Sequence, residues 1–230
     1  MRTYVVRRLL LMIPALIGVT LLIFAITQLF DPYMRASLYI RDPRQAKNIE
    51  GIIRKYGLDQ PMYIQYFRWL DQVLHGNLGW SQSIHMPVLD ALLTHFPATA
   101  ELALYAAPLT IIIGTALGKL AAVKKDTAVD HVTRIMAIIG WSLPSFWLGI
   151  MLLAIFYVGL GIFSPGRLST WAENLVLSGK FKVYTGLYTI DAILNLNGAV
   201  LLDALSHLVL PVTTLVIINM ALLMLSLIHI

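Results

Sequence analysis

Few side chains in this sequence are of types and at spacings that do chemistry. Ser142 and His207 offer a hydroxyl and an imidazole, the pair needed when a serine on one helix is activated by a base on another. The local context is wrong for it: Gly140-Trp141-Ser142-Leu143 lacks the second glycine of the Gly-x-Ser-Gly turn in rhomboid-type intramembrane proteases. Asp203 and His207 stand at i and i+4 and share a helix face, but two ligands do not hold a metal tightly. His75, His85 and His95 recur every ten residues, which is not a helical face period. With no cysteine there is no disulfide, thiolate nucleophile or thiolate metal site. Catalytic, cofactor and metal residues are therefore expected to be none.

The elements that hold these residues are apolar. Hydrophobic residues make up 58% of the 230, charged residues 13%, and the mean hydropathy is +0.76. One core cannot hide that much apolar surface, so the chain is expected to be an integral membrane protein. The net charge of +5 suggests an acidic partner at first sight. Its basic residues are scattered or flank apolar runs, where orientation in the membrane explains them, and nucleic acid is excluded as a partner.

The spacing predicts an all-α, polytopic protein with four membrane helices and two ordered external insertions. Residues 9–30 form the first span, preceded by Arg2, Arg7 and Arg8, with the N-terminus in the cytoplasm. Residues 31–97 are too polar to span but carry apolar residues at helical spacing between breakers. There we expect a helix from Arg44 to Tyr56 stopped by Gly57, a second capped by Asp59 and stopped by Gly76, and a short third started by Pro87. The arginines of this insertion, Arg35, Arg41, Arg44, Arg54 and Arg68, do not forbid an external location, because the charge rule weakens in long loops. Residues 98–123 are the second span, 124–134 a short cytoplasmic loop with Lys124, Lys125 and Arg134, and 135–163 the third span. Residues 164–206 form the second external loop, and 207–230 the fourth span. That last run has no polar flank or aromatic anchor, and Leu225 to Ile230 match the translation of a transposon-end sequencing adapter; these six residues are expected to be artefactual.

Within the spans, Glu101 and the Ser142-Leu143-Pro144-Ser145 stretch stand out. Near the external end of its helix, the Glu101 carboxylate is favoured by the helix dipole; alternatively, an intramembrane charge marks a polar pathway. Pro144 removes a backbone hydrogen bond that nearby hydroxyls can compensate, giving either plain curvature or a bend that lines a cavity. The aromatics Tyr63, Tyr66, Phe67, Trp69 and Trp80 serve either as a stacking surface or as packing at the membrane interface.

Several groups of residues, in order and at specific spacing, resemble the membrane subunit of binding-protein-dependent ATP-binding-cassette importers of the dipeptide, oligopeptide and nickel class. They are Leu58-Asp59-Gln60-Pro61 with Gln65-Tyr66, Gly76-Asn77-Leu78-Gly79-Trp80-Ser81, Pro97 to Leu102, Ser142 to Phe146, and His207 to Pro211. Asn77 departs from the aspartate often found there. The resemblance implies a six-helix permease that pairs with a second homologous permease, two ATPase subunits and an external solute-binding protein. It implies import of peptides or similar small solutes, nickel included, by alternating access, with ATP hydrolysed in the separate subunits and none here. The family's ATPase-docking loop and two last helices have no counterpart in these residues, so the chain is expected to be the N-terminal part of a permease. Ser142, Pro144, Ser145 and Glu101 become the candidates for the translocation path. An intramembrane serine protease and a non-transporting membrane anchor are the competing readings.

Overall fold

The computed structural model describes residues 2–37, 39–40 and 47–228. Among those residues its regular elements are helices apart from one hairpin of two-residue strands, and it divides into two compact units, Met1–Leu93 and Thr94–Ile230.

In the first unit, α1 (Arg2–Thr27) is apolar on all sides and keeps Pro14 inside it. Leu9, Leu16 and Leu22 lie about 60% exposed, as befits a helix whose outer solvent is lipid. The basic residues begin the helix rather than preceding it. A short α2 (Pro32–Ser37) follows, which the spacing does not predict. Helix α3 (Ile49–Tyr56) starts at Asn48, whose side chain accepts from the Gly51 N–H, and stops at Gly57 in the left-handed conformation. The expected start at Arg44 falls outside the described residues. Helix α4 (Met62–Leu74) begins after Pro61 and not at Asp59; no side chain caps it. Pro61 is the N-cap residue, at φ/ψ of −53/143°, and Asp59 lies two residues before it.

Ala36, Ile53 and Leu58 form the small core of this insertion, with Tyr39 stacked on Tyr56 at 4.1 Å between centroids. Tyr66 packs edge-on against Phe24 and hydrogen-bonds Thr20, which ties α4 to α1, while Tyr63 and Phe67 stay exposed. Packing therefore accounts for Tyr66 and Trp69, but not for the outer face of α4. At Gly57, φ is +64° and a Cβ would collide with the Arg68 guanidinium. Gly57→Ala is expected to cost about 1 kcal/mol, read as a lower thermal midpoint in detergent.

Strands β1 (Trp80–Ser81) and β2 (Met86–Pro87) pair antiparallel, and His85 takes a positive φ of 51° at the turn. The helix expected to be short after Pro87 does not stop. It continues as α5 (Val88–Val123), 36 residues with Pro97 and Pro108 inside. At 1.5 Å per residue it reaches roughly 54 Å, well beyond a hydrocarbon core of about 30 Å, so part of it projects from the bilayer.

In the second unit, α10 (Gly198–Ile228) is the central element, starting nine residues before the expected 207. Ala106 of α5 meets Val212 and Val216, and Ala137 of α6 (Ala128–Ser142) meets Ala221 and Met224. Small residues set these approaches. A Cβ on Gly140 would stand 3.2 Å from the Ile217 carbonyl oxygen and 3.3 Å from Ala221 Cβ. Gly140→Leu is expected to destabilise by about 2 kcal/mol through overpacking. Gly18→Leu, where nothing lies within 4 Å, should leave the midpoint unchanged in the same unfolding experiment.

Helices α8 (Thr170–Leu177) and α9 (Tyr188–Leu194) fold back on the start of α10 around Leu168, Ala172, Phe181, Ala192, Val200 and Ala204. The second insertion thus has a core of its own.

Candidate functional site

The span expected over 135–163 is not one straight helix. Helix α6 ends at Ser142, Leu143 and Pro144 are extended at φ/ψ of −84/127° and −62/135°, and α7 (Ser145–Leu152) leaves at 101° to α6. Proline drives the residue before it out of the helical region and has no N–H to continue the ladder. Ser142 Oγ donates to the Ile138 carbonyl at 2.8 Å, one turn back on α6, while Pro144 leaves the Gly140 carbonyl without its i+4 donor. Ser145 opens α7, and Leu148 N donates to the Pro144 carbonyl at 3.1 Å. This is a break, and curvature is too weak a description of it. Helix α7 runs on into a π-helical turn, Leu153–Gly159, a local irregularity common at functional positions. Ser142, Pro144 and Ser145 are all exposed, beside exposed Phe146 and Ile150.

Glu101 belongs to a different cluster. It lies more than three turns into α5, so the dipole of the helix start does not reach it. Its carboxylate is 3% exposed and fully engaged: Arg167 Nη2 donates to Oε2 at 2.7 Å, and Thr189 donates to Oε1 through its N–H at 2.7 Å and its hydroxyl at 2.8 Å. Arg167 also donates to the Gly186 carbonyl at 2.7 Å and lies 4.2 Å over the Tyr188 ring. Asp191, fully buried, accepts from Thr185 N, Thr185 Oγ1 and Gly186 N. On α10, Asp203 accepts from Ser169 N and Oγ at 2.8 and 2.5 Å. Buried Glu101 on α5 and partly buried Asp203 on α10 therefore hold the 167–189 segment from two separate long helices.

The hydroxyl–imidazole pair is not assembled. The Ser142 hydroxyl is spent on Ile138, and His207 Nδ1 lies 2.8 Å from the Asp203 carbonyl and 3.9 Å from its carboxylate. Among the described residues no group of three or more potential ligands surrounds a metal position. No residue pattern singles out Arg167, Thr189 or Asp191. The one available signal is that an acid in an apolar run needs a cation, and Arg167 adjoins the Ser164-Pro165-Gly166 turn.

Three helices, Thr3–Thr27, Val88–Val123 and Gly198–Met224, are long and apolar enough to cross a membrane, and the bent α6–α7 pair makes a fourth crossing if it is one span. The class is thus a polytopic, all-α membrane protein with a broken helix and folded polar insertions.

Residues 114–229 match the family of binding-protein-dependent transport system inner membrane components, and residues 1–103 match the N-terminal family of such membrane components. The chain belongs to this permease family and is a multi-pass inner membrane protein. It is 41% identical over 206 residues to the probable D,D-dipeptide transport system permease protein DdpB of Escherichia coli (strain K12), covering 88% of this chain and 58% of the relative. The dipeptide transport system permease protein DppB of the same strain is 34% identical over 217 residues, covering 92% and 61%. The oligopeptide transport system permease protein AppB of Bacillus subtilis (strain 168) is 30% identical over 225 residues, covering 96% and 62%. The chain therefore spans about 60% of the length of these curated relatives.

Proposed function

We propose that this chain serves in the permease of an ATP-driven, binding-protein-dependent importer of short peptides. Family membership across both matched regions carries the reading, together with relatives named for dipeptide and oligopeptide transport. The chain contributes no covalent chemistry. Its partners are a second homologous permease, two ATPase subunits on the cytoplasmic face and an external solute-binding protein. The N-terminus and the 124–134 turn face the cytoplasm, because Arg7, Arg8, Lys124 and Lys125 lie at those ends. The 31–97 and 164–206 segments face outward.

In this arrangement the break at Ser142, Pro144 and Ser145 borders the solute path. Backbone that leaves the helical ladder is tolerated at membrane depth only where protein or a water-filled cavity covers it. Glu101 acts at one remove, by holding the external segment in place over the helices. Nickel chelates are the alternative solutes.

The test is accumulation of a labelled dipeptide by cells that express the gene carrying this chain with its partner permease, ATPases and binding protein. Uptake should stop when the binding protein or the ATPases are omitted. Uptake that persists without the ATPases rules the reading out. Orientation is checked separately: an impermeant thiol reagent should label Trp80→Cys and spare Lys125→Cys in sealed cells, and equal labelling would reverse the layout.

A further inference from the structure

The insertion between α1 and α5 buries a cation that no acid among the described residues offsets. Arg35 is 8% exposed. Its Nη1 donates to the side-chain oxygens of Gln28 and Gln65, both at 2.6 Å, and its Nη2 to the Leu58 carbonyl at 3.3 Å. Nε is buried without a partner. Each of these acceptors is neutral, and Arg35 makes no ion pair among the described residues. Gln65 is itself locked, its amide donating to the Gln60 and Leu58 carbonyls at 2.6 and 3.1 Å, so its oxygen is held on the guanidinium. Among the described residues three of the five N–H groups are thereby used, and Nε–H and one Nη2–H are left unspent.

A buried, uncompensated guanidinium is costly to maintain, and an arriving anion relieves that cost. Beside Arg35 opens a cavity of about 240 Å³, walled by Tyr39, Tyr56, Trp69 and Trp80, with Arg68 as a second cation. Aromatic walls accept an apolar group, and the arginine fork fits the two oxygens of a carboxylate. We propose that this cavity binds a small carboxylate carrying an apolar or aromatic group, with its charge against Arg35.

The test titrates the full chain in detergent with N-acetylphenylalanine and with its primary amide, which keeps size and ring and lacks the charge. The acid should bind at least tenfold more tightly at pH 7 and should quench tryptophan emission. Arg35→Gln should lose most of that preference for the acid, Arg68 alone supplying the remainder. If Arg35→Gln loses its helical circular dichroism, location is read from the Trp69→Phe/Trp80→Phe double variant, which keeps Trp141, Trp147 and Trp171. Quenching by the acid should disappear there. Absent acid binding, equal binding of acid and amide by the unmodified chain, an undiminished acid preference in folded Arg35→Gln, or undiminished quenching in the double variant overturns the proposal. Because equilibrium binding involves no transport step, such a failure leaves the permease reading intact.

Discussion

Glu101→Ala should lower the unfolding free energy by about 3 kcal/mol, the low end of the cost of breaking a buried ion pair. The low end applies because Glu101 is 3% exposed but its partner Arg167 is 33% exposed. The loss is larger than one hydrogen bond because three donors lose their acceptor together: Arg167 Nη2, Thr189 N and Thr189 Oγ1. Thr189 is fully buried and has no water to turn to. The segment pinned by this carboxylate carries Arg167, Lys180 and Lys182, so limited trypsin digestion should cut the variant there well before the unmodified chain. Glu101→Gln keeps one acceptor oxygen and should fall between the two. In a double-mutant cycle with Arg167→Ala, the coupling energy should be about 1.5 to 3 kcal/mol. A Glu101→Ala chain with unchanged thermal midpoint and digestion pattern would show that the tether holds nothing.

The sequence makes the helical architecture legible because its signals are local and repeated. Apolar runs long enough for a bilayer, Gly57 and Gly76 as stops, and basic residues at run ends each act over a few residues. Gly57 and Gly76 do take positive φ, at 64° and 81°. What stays hidden depends on contacts far along the chain. The Glu101–Arg167 pair spans 66 residues and the Glu101–Thr189 bonds 88, and no periodicity encodes such pairings. Helix dipole chemistry fails as an account of Glu101 because α5 begins at Val88, before Pro97, and proline inside a membrane helix is no reliable boundary. Conversely, Pro144 is visible as a perturbation, yet its 101° outcome is not. Proline sets where the ladder stops; the direction of α7 is set by packing against α10, where a Cβ on Gly149 would stand 3.9 Å from the Thr214 side chain.

Pro144→Ala is expected to reduce labelled-dipeptide uptake at least tenfold while leaving abundance in the membrane unchanged. The physical step is local. Alanine restores an N–H and frees Leu143 from the steric exclusion that holds it extended, so a continuous helix from α6 into α7 becomes accessible. It also has a high intrinsic preference for that state. The Ser142 hydroxyl, now bonded to Ile138, does not oppose the change, since the same back-bond forms inside a regular helix. Even partial straightening swings exposed Phe146, Trp147 and Ile150 away from their present positions, because they follow the break directly. Insertion depends on apolar length, which the substitution preserves. Spin labels at Ile139 and Ile150, on either side of the break, should report a longer and broader distance distribution in Pro144→Ala. Unchanged uptake together with a lengthened distance would remove the break from the solute path; unchanged uptake with an unchanged distance would mean that α10 alone maintains the bend.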